Sequence, residues 1–340
     1  MKIGIVRDKA YLGHRAEGYH PENPERLRAI YDWLDKYKDD SLVGLTPRIA
    51  TEEEITMVHT PEYFREAKST EGNAGIFDAD TYYSPDSFRI ALLAAGGAIV
   101  SADAVAGGRV NSAFAFLRPP GHHAETDRAM GFCIFNNAAI AASYLIHRHK
   151  MKKILIIDWD LHHGNGTQWA FYTNPSVLYF STHQYPYYPG TGAIGEFGSG
   201  DGEGFNVNVP LPAGMINADY AETFKRILVP VAEEYSPEFV LVSAGFDAHR
   251  DDPLGGMKLT DAGFGYLAGI VKNLADKTAM GRLAFCLEGG YNLNALRESI
   301  RAVIEALKGK QFEPDGRPSS EVFSTIENVI KVHKRFWKRL

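Results

Sequence analysis

Seven short apolar, β-branched or aromatic runs recur along the chain, at 2–6, 112–116, 153–158, 176–181, 205–211, 239–245 and 282–290. Most lack interior charges, as strands covered on both faces require. Stretches with helical character lie between them, at 24–38, 53–68, 85–106, 136–149, 217–234, 260–276 and 293–308. This alternation predicts an α/β fold with a mainly parallel central sheet and helices on both faces. Pro24 with Glu25, and Thr51 with Glu54, are helix-start signals. No repeat or Pro/Ser-rich linker divides residues 1–308, so one domain is expected there. The single linker-like break is GKQFEPDGRPS at 309–319; residues 309–340 are read as an extension, a basic helix packed on the body.

The run at 153–158 continues as ILIIDWDLHHGNG, which packs Asp158, Asp160, His162 and His163 into six positions. Unpaired charges are costly to bury, and a metal ion would explain the cluster. If the strand stays extended to 162, Asp158, Asp160 and His162 share one side. Three other runs end similarly: SAFAFLRPPGHHAE in His122 and His123, FVLVSAGFD in Asp247, and RLAFCLEGGY in Tyr291. Open α/β sheets place their ligand sites at such carboxyl ends. Two carboxylates and one imidazole suit a hydrolytic metal that keeps an open position. Tyr291 could donate to a developing oxyanion, and two imidazoles could move the protons, with Asp158 and Asn165 orienting them.

The chain of 340 residues carries 36 basic and 42 acidic residues, a formal net charge of −6. No overall basic footprint exists, so direct nucleic-acid binding is not expected. The two cysteines, Cys133 and Cys286, form neither a disulfide framework nor a CxxC knuckle, and each reads as a small buried hydrophobe. The N-terminus lacks a signal-peptide core, and no run of about 18 apolar residues is apparent. A soluble, cytoplasmic protein with no membrane partner is expected.

The chain resembles the histone deacetylase and acetylpolyamine amidohydrolase family. The likeness rests on HPENPERL (20–27), RPPGHHA (118–124), GFCIFNNAAIAA (131–142), DWDLHHGNGTQ (158–168), YYPGTG (187–192), SAGFDAHRDDPLGGM (243–257) and LEGGYN (287–292). It implies the arginase-deacetylase fold, and zinc on Asp160, His162 and Asp247; Fe²⁺ or Co²⁺ would suit the same ligands. It also implies that His122 and His123 are the acid/base pair, backed by Asp158 and Asn165, and that Tyr291 polarises the scissile carbonyl. Gly131, Phe132 and Tyr188 would line the acyl-lysine channel, Asp80 would be the rim acid, and Arg26 would lie by the product exit. Structural potassium would sit with Asp158, Asp160, His162, Ser181 and Thr182, and a second ion with Phe171, Asn174, Val177 and Phe205.

The expected substrate is an acetylated protein, peptide or small molecule, an acyl-lysine above all. Leu254 after DDP matches class II lysine deacetylases, where polyamine-selective relatives carry an acid. The alternative is an acetylpolyamine, to which Glu71, Asp78 and Asp80 could present negative charge. An arginase-like binuclear site would need a DxHxD order that the chain lacks. A non-enzymatic acyl-lysine reader would be expected to have lost a ligand or the tyrosine.

Overall fold

The computed structural model describes residues 1–340. Its strands are β1 (Ile3–Val6), β2 (Leu42–Leu45), β3 (Gly75–Ile76), β4 (Tyr82–Tyr83), β5 (Ser112–Ala115), β6 (Ile154–Asp158), β7 (Val177–Gln184), β8 (Asn206–Leu211), β9 (Phe239–Ala244) and β10 (Leu283–Leu287). Eight of them form one sheet in the order β2-β1-β5-β10-β9-β6-β7-β8, and every pairing in it is parallel. Every residue of β1, β5, β6, β7, β9 and β10 is buried, which explains why these runs tolerate no charge until their ends. β3 and β4 make a separate antiparallel ribbon.

Register sets the height of the site. Asp158 pairs with Ser243 on one side and Ser181 on the other, while Leu287 pairs with Ala244. The loops that leave β6, β9 and β10 therefore start at one level, at adjacent strand ends.

Three expectations need correction. Residues 53–68 form two helices, Glu52–Ile55 and Pro61–Ser69. Thr51 and Glu54 make the capping box of the first, and Thr60 caps the second, whose first residue is Pro61; the residue before a proline is steered out of the α region. The stretch 217–234 is helical but contains a π turn over Phe224–Leu228, just ahead of Pro230. A proline has no N–H to donate, and the wider turn accommodates that gap. Ser87–Ala106, with mean hydropathy 1.6, is apolar and long enough to cross a membrane although Arg89 and Asp103 interrupt the run; it is 78% buried inside the protein, as a core helix.

Four elements carried too little pattern to be read: β2, a four-residue edge strand with exposed Gly44, the two-residue strands β3 and β4, and helix Asn165–Phe171, which opens inside the glycine-rich turn. Beyond residue 308, helix Ser320–His333 buries Val322, Ile326 and Val329, and the basic, aromatic stretch mostly follows it. There Trp337 packs its ring edge on Phe205 at 5.5 Å and donates Nε1–H to Gly204 O at 3.0 Å.

Candidate active site

The loops after β5, β10, β9 and β6, four adjacent strands, carry His122 and His123, Tyr291, Asp247, and Asp160 with His162. β6 ends at Asp158, and bends at 160–162 replace the extended continuation expected from the sequence. Those bends turn His162 Nδ1 to within 2.9 Å of Asp247 Oδ2 and 3.2 Å of Asp160 Oδ1. Asp158 faces elsewhere, toward His122.

The donor atoms of Asp160, His162 and Asp247 all lie within 4.8 Å of one another. Backbone N–H groups hold the carboxylates: Gly289 N donates to Asp160 Oδ2 and Leu161 N to Asp247 Oδ1, both at 2.8 Å. A Cβ at Gly245 would lie 1.9 Å from Asp160 Oδ2, and one at Gly289 2.4 Å from Asp247 Oδ2, so only glycine leaves room for both acids.

Burial, with Asp160 beside it, pushes the Asp247 carboxyl up to about 7. Burial alone would raise Asp160 as well, but His122 and His162 hold it far below the usual carboxylate range. Burial opposes a charge on His162, yet its bonds to Asp160 and Asp247 lift it to about 10. Two buried carboxylates thus compete for positive charge, and a nitrogen–oxygen set of this composition fits a divalent cation that displaces the imidazole proton.

The paired imidazoles stand 4.0 Å apart, centroid to centroid. His122 Nδ1 meets Asp158 Oδ2 at 3.1 Å, and Tyr179 donates its hydroxyl to the same oxygen at 3.0 Å. His123 Nδ1 meets Asn165 Oδ1 at 2.8 Å, while Asn165 Nδ2 donates to Glu125 Oε1 at 2.7 Å. Unlike partners separate the two rings. Burial lowers the proton affinity of each, but Asp160 and Asp158 lift His122 to about 10. His123 has a neutral amide behind it and His122 and His162 nearby, so it falls well below the usual imidazole value. Glu288 fixes the turn before them, accepting from Gly121 N at 2.7 Å and His122 N at 3.2 Å.

A cavity of about 80 Å³ leads to these groups between Phe132 and Tyr188, with Asp80, Gly131 and Leu254 also lining it. Tyr188 stands edge-on to His123 at 5.2 Å, and Phe132 edge-on to Tyr291 at 6.0 Å. Phe132 has φ 70°, a left-handed conformation costly for an aromatic residue and set beside Gly131 at φ 58°. Thr81 Oγ1 accepts from Phe132 N at 3.1 Å and helps hold that turn. Tyr291 lines the cavity, and its hydroxyl has no hydrogen-bond partner in the protein; its backbone N–H is tied to Asp252 Oδ2 at 2.6 Å.

Arg26 lies behind this floor, its guanidinium 5.0 Å from the Tyr291 ring centre. It donates Nε–H to Gly290 O at 2.7 Å and also reaches Glu288 O and Glu22. Glu22 is fully buried between Arg26 and Arg118; burial would raise its carboxyl, but the two guanidiniums hold it well below the usual range. Glu22→Ala leaves both cations uncompensated, so chemical denaturation should show a loss of about 3–5 kcal/mol. A loss under about 1 kcal/mol would contradict that role.

The residues proposed for potassium are dispersed around β6 and β7. Ser181 pairs in register with Asp158, and its hydroxyl contacts His183 Nδ1 at 2.9 Å. Thr182 Oγ1 is buried without a partner. Phe171 O accepts from Asn174 N at 2.9 Å, Asn174 O from Val177 N at 3.3 Å, and Phe205 O from Tyr179 N at 2.9 Å. Sequence reasoning missed Tyr179, Glu125, Asp252 and the bracing role of Glu288. Only the last carried a signal, an acid closing an apolar run.

A family model described as the histone deacetylase domain matches residues 20–307. A probable deacetylase of Archaeoglobus fulgidus is 39% identical over 99% of both chains. The human polyamine deacetylase HDAC10 is 41% identical over 91% of this chain and 48% of its own length. The crystal structure of the HDA15 HD domain superimposes with TM-score 0.93 at 40% identity, covering 99% of this chain and 95% of that one. The chain spans only about half the length, 42% to 59%, of the curated eukaryotic relatives it matches.

Proposed function

We propose, from the premise that this chain belongs to the histone deacetylase family, that it is a zinc-dependent amidohydrolase removing acetyl or another short acyl group from lysine side chains. One observation carries the reading: the Asp160, His162 and Asp247 donors lie beside an aromatic-walled cavity whose lining includes two differently tuned imidazoles and an unpartnered phenol. Zinc held by those three residues would supply Lewis-acid polarisation of the amide carbonyl and acidify a water molecule. Phe132 and Tyr188 would grip the lysine's methylene stem, and Asp80 would accept from the substrate backbone at the rim. His123, neutral and held by Asn165, would take the proton of the attacking water. His122, charged against Asp158, would return one to the leaving amine. Tyr291 would donate to the oxyanion. Structural potassium among Asp158, Asp160, His162, Ser181 and Thr182 belongs to the same proposal, with unpartnered Thr182 Oγ1 as support; so does the second ion and an exit for acetate past Arg26. A cytoplasmic setting accords with two buried free thiols.

Asn165→Leu removes the acceptor that fixes the His123 tautomer, so kcat should fall about 10- to 100-fold with zinc content unchanged. A variant with full kcat would show that the Asn165 contact does not set His123 for proton transfer. Substrate class is tested by kcat/KM on an acetyl-lysine peptide against N8-acetylspermidine. A peptide preference of about tenfold or more, worth about 1.4 kcal/mol, is expected because Leu254 offers no charge to a distant amine. The reverse preference would favour the polyamine reading, toward which the HDAC10 likeness points.

A further inference from the structure

A second groove, of about 290 Å³, adjoins the mouth of the active-site cavity and shares Asp80 with it. His20 stands between the two: its ring meets Phe132 and Tyr82 edge-on, both at 4.7 Å, and its Nε2 lies 3.2 Å from Asp80 O. The ribbon of β3 and β4 lines the groove with Ile76 and Tyr83, and the loop before residue 20 adds Glu17 and Tyr19. Tyr19 is 92% exposed and Ile76 68%, two large apolar side chains left in water beside the substrate entrance.

The charges here are of one sign. Glu17 makes no ion pair or hydrogen bond, whereas the Asp80 carboxyl meets Thr81 Oγ1 at 3.2 Å and also contacts the Asp78 carboxyl and the Gly131 backbone, and burial with Asp78 beside it raises its proton affinity. Asp78 behind it accepts from Asp80 N and Thr81 N through one carboxylate oxygen and also faces the Asp80 carboxyl. No lysine or arginine lines the groove. Apolar walls, an unpartnered Glu17 and the crowded Asp78 and Asp80 carboxyls suit a long side chain that lays its methylenes on aromatic and aliphatic surface and carries a cation at its tip. Because the groove and the acyl-lysine cavity share a wall, the cation should lie one or two residues from the acyl-lysine, at about 3.3–3.6 Å of extended chain per residue.

We propose that this groove, through Glu17, Tyr19, Ile76 and Asp80, selects acyl-lysine peptides with an arginine or lysine beside the modified residue. The inference rests on the acyl-lysine reading above. Its test compares kcat/KM for acetyl-lysine peptides bearing arginine, norleucine or glutamate at each flanking position, alongside a short acetyl-lysine amide with no flanking residues. The arginine peptide should exceed the norleucine peptide at least fivefold at one position, and the glutamate peptide should be slowest there. In Glu17→Gln the ratio should fall below twofold, and in Tyr19→Ala both peptides should slow, while the short amide keeps its rate. Equal rates for arginine and norleucine at every position, or a preference unchanged in Glu17→Gln, would overturn the subsite. So would a Glu17→Gln variant that slows N8-acetylspermidine but not the arginine peptide. Failure to hydrolyse even the short amide would instead overturn the deacetylase reading, and the subsite with it.

Discussion

Asp247→Ala is expected to abolish stable zinc binding and to lower turnover by more than about 10³-fold. Groups that merely orient metal ligands are worth about 10- to 100-fold, so a direct ligand should exceed that. The three donors lie within 4.8 Å of one another, and Asp247 supplies one of only two carboxylates. Burial, with Asp160 beside it, pushes the Asp247 carboxyl up to about 7, so the substitution also takes a costly buried acid out of the site. The variant should therefore stay folded while zinc content after dialysis, measured by mass spectrometry, drops from one per chain to near zero. Retention of a full equivalent of zinc would show that Asp247 is not a ligand.

Tyr291→Phe should leave zinc bound and lower kcat by about 10²- to 10³-fold, with little change in KM. The Tyr291 hydroxyl bonds to nothing in the protein, so its removal strands no buried partner, and stability should change by less than about 1 kcal/mol. The backbone tie from Tyr291 N to Asp252 persists in the variant and keeps the ring on the cavity wall. A raised KM with normal kcat would mean that the phenol binds the ground state, and unchanged turnover would end its proposed role.

Much of this arrangement is legible in the chain because parallel strands buried on both faces admit charge only at their ends. The acids and histidines that follow β5, β6, β9 and β10 therefore stand out, and strand order brings them together. The path between them is less legible. Period-two alternation put Asp158 with Asp160 and His162, whereas the chain bends at 160–162 and hands Asp158 to His122 and Tyr179. Alternation holds only while the ladder lasts, and β6 ends at Asp158. Supporting groups escaped for a related reason. Tyr179 lies inside a strand and looks like core, and Glu125 and Asp252 act across long sequence separations. The groove of Glu17 and Ile76 likewise depends on the loop before His20 and the β3–β4 ribbon, distant in sequence, lining one cavity.

The most direct test is acetate release from an acetyl-lysine peptide by metal-stripped protein titrated with zinc. Turnover should rise with added zinc and saturate at one equivalent per chain, and Asp247→Ala should stay inactive throughout. Acetate release that is indifferent to zinc and to Asp247, or a fully zinc-loaded chain that releases none, would contradict the account.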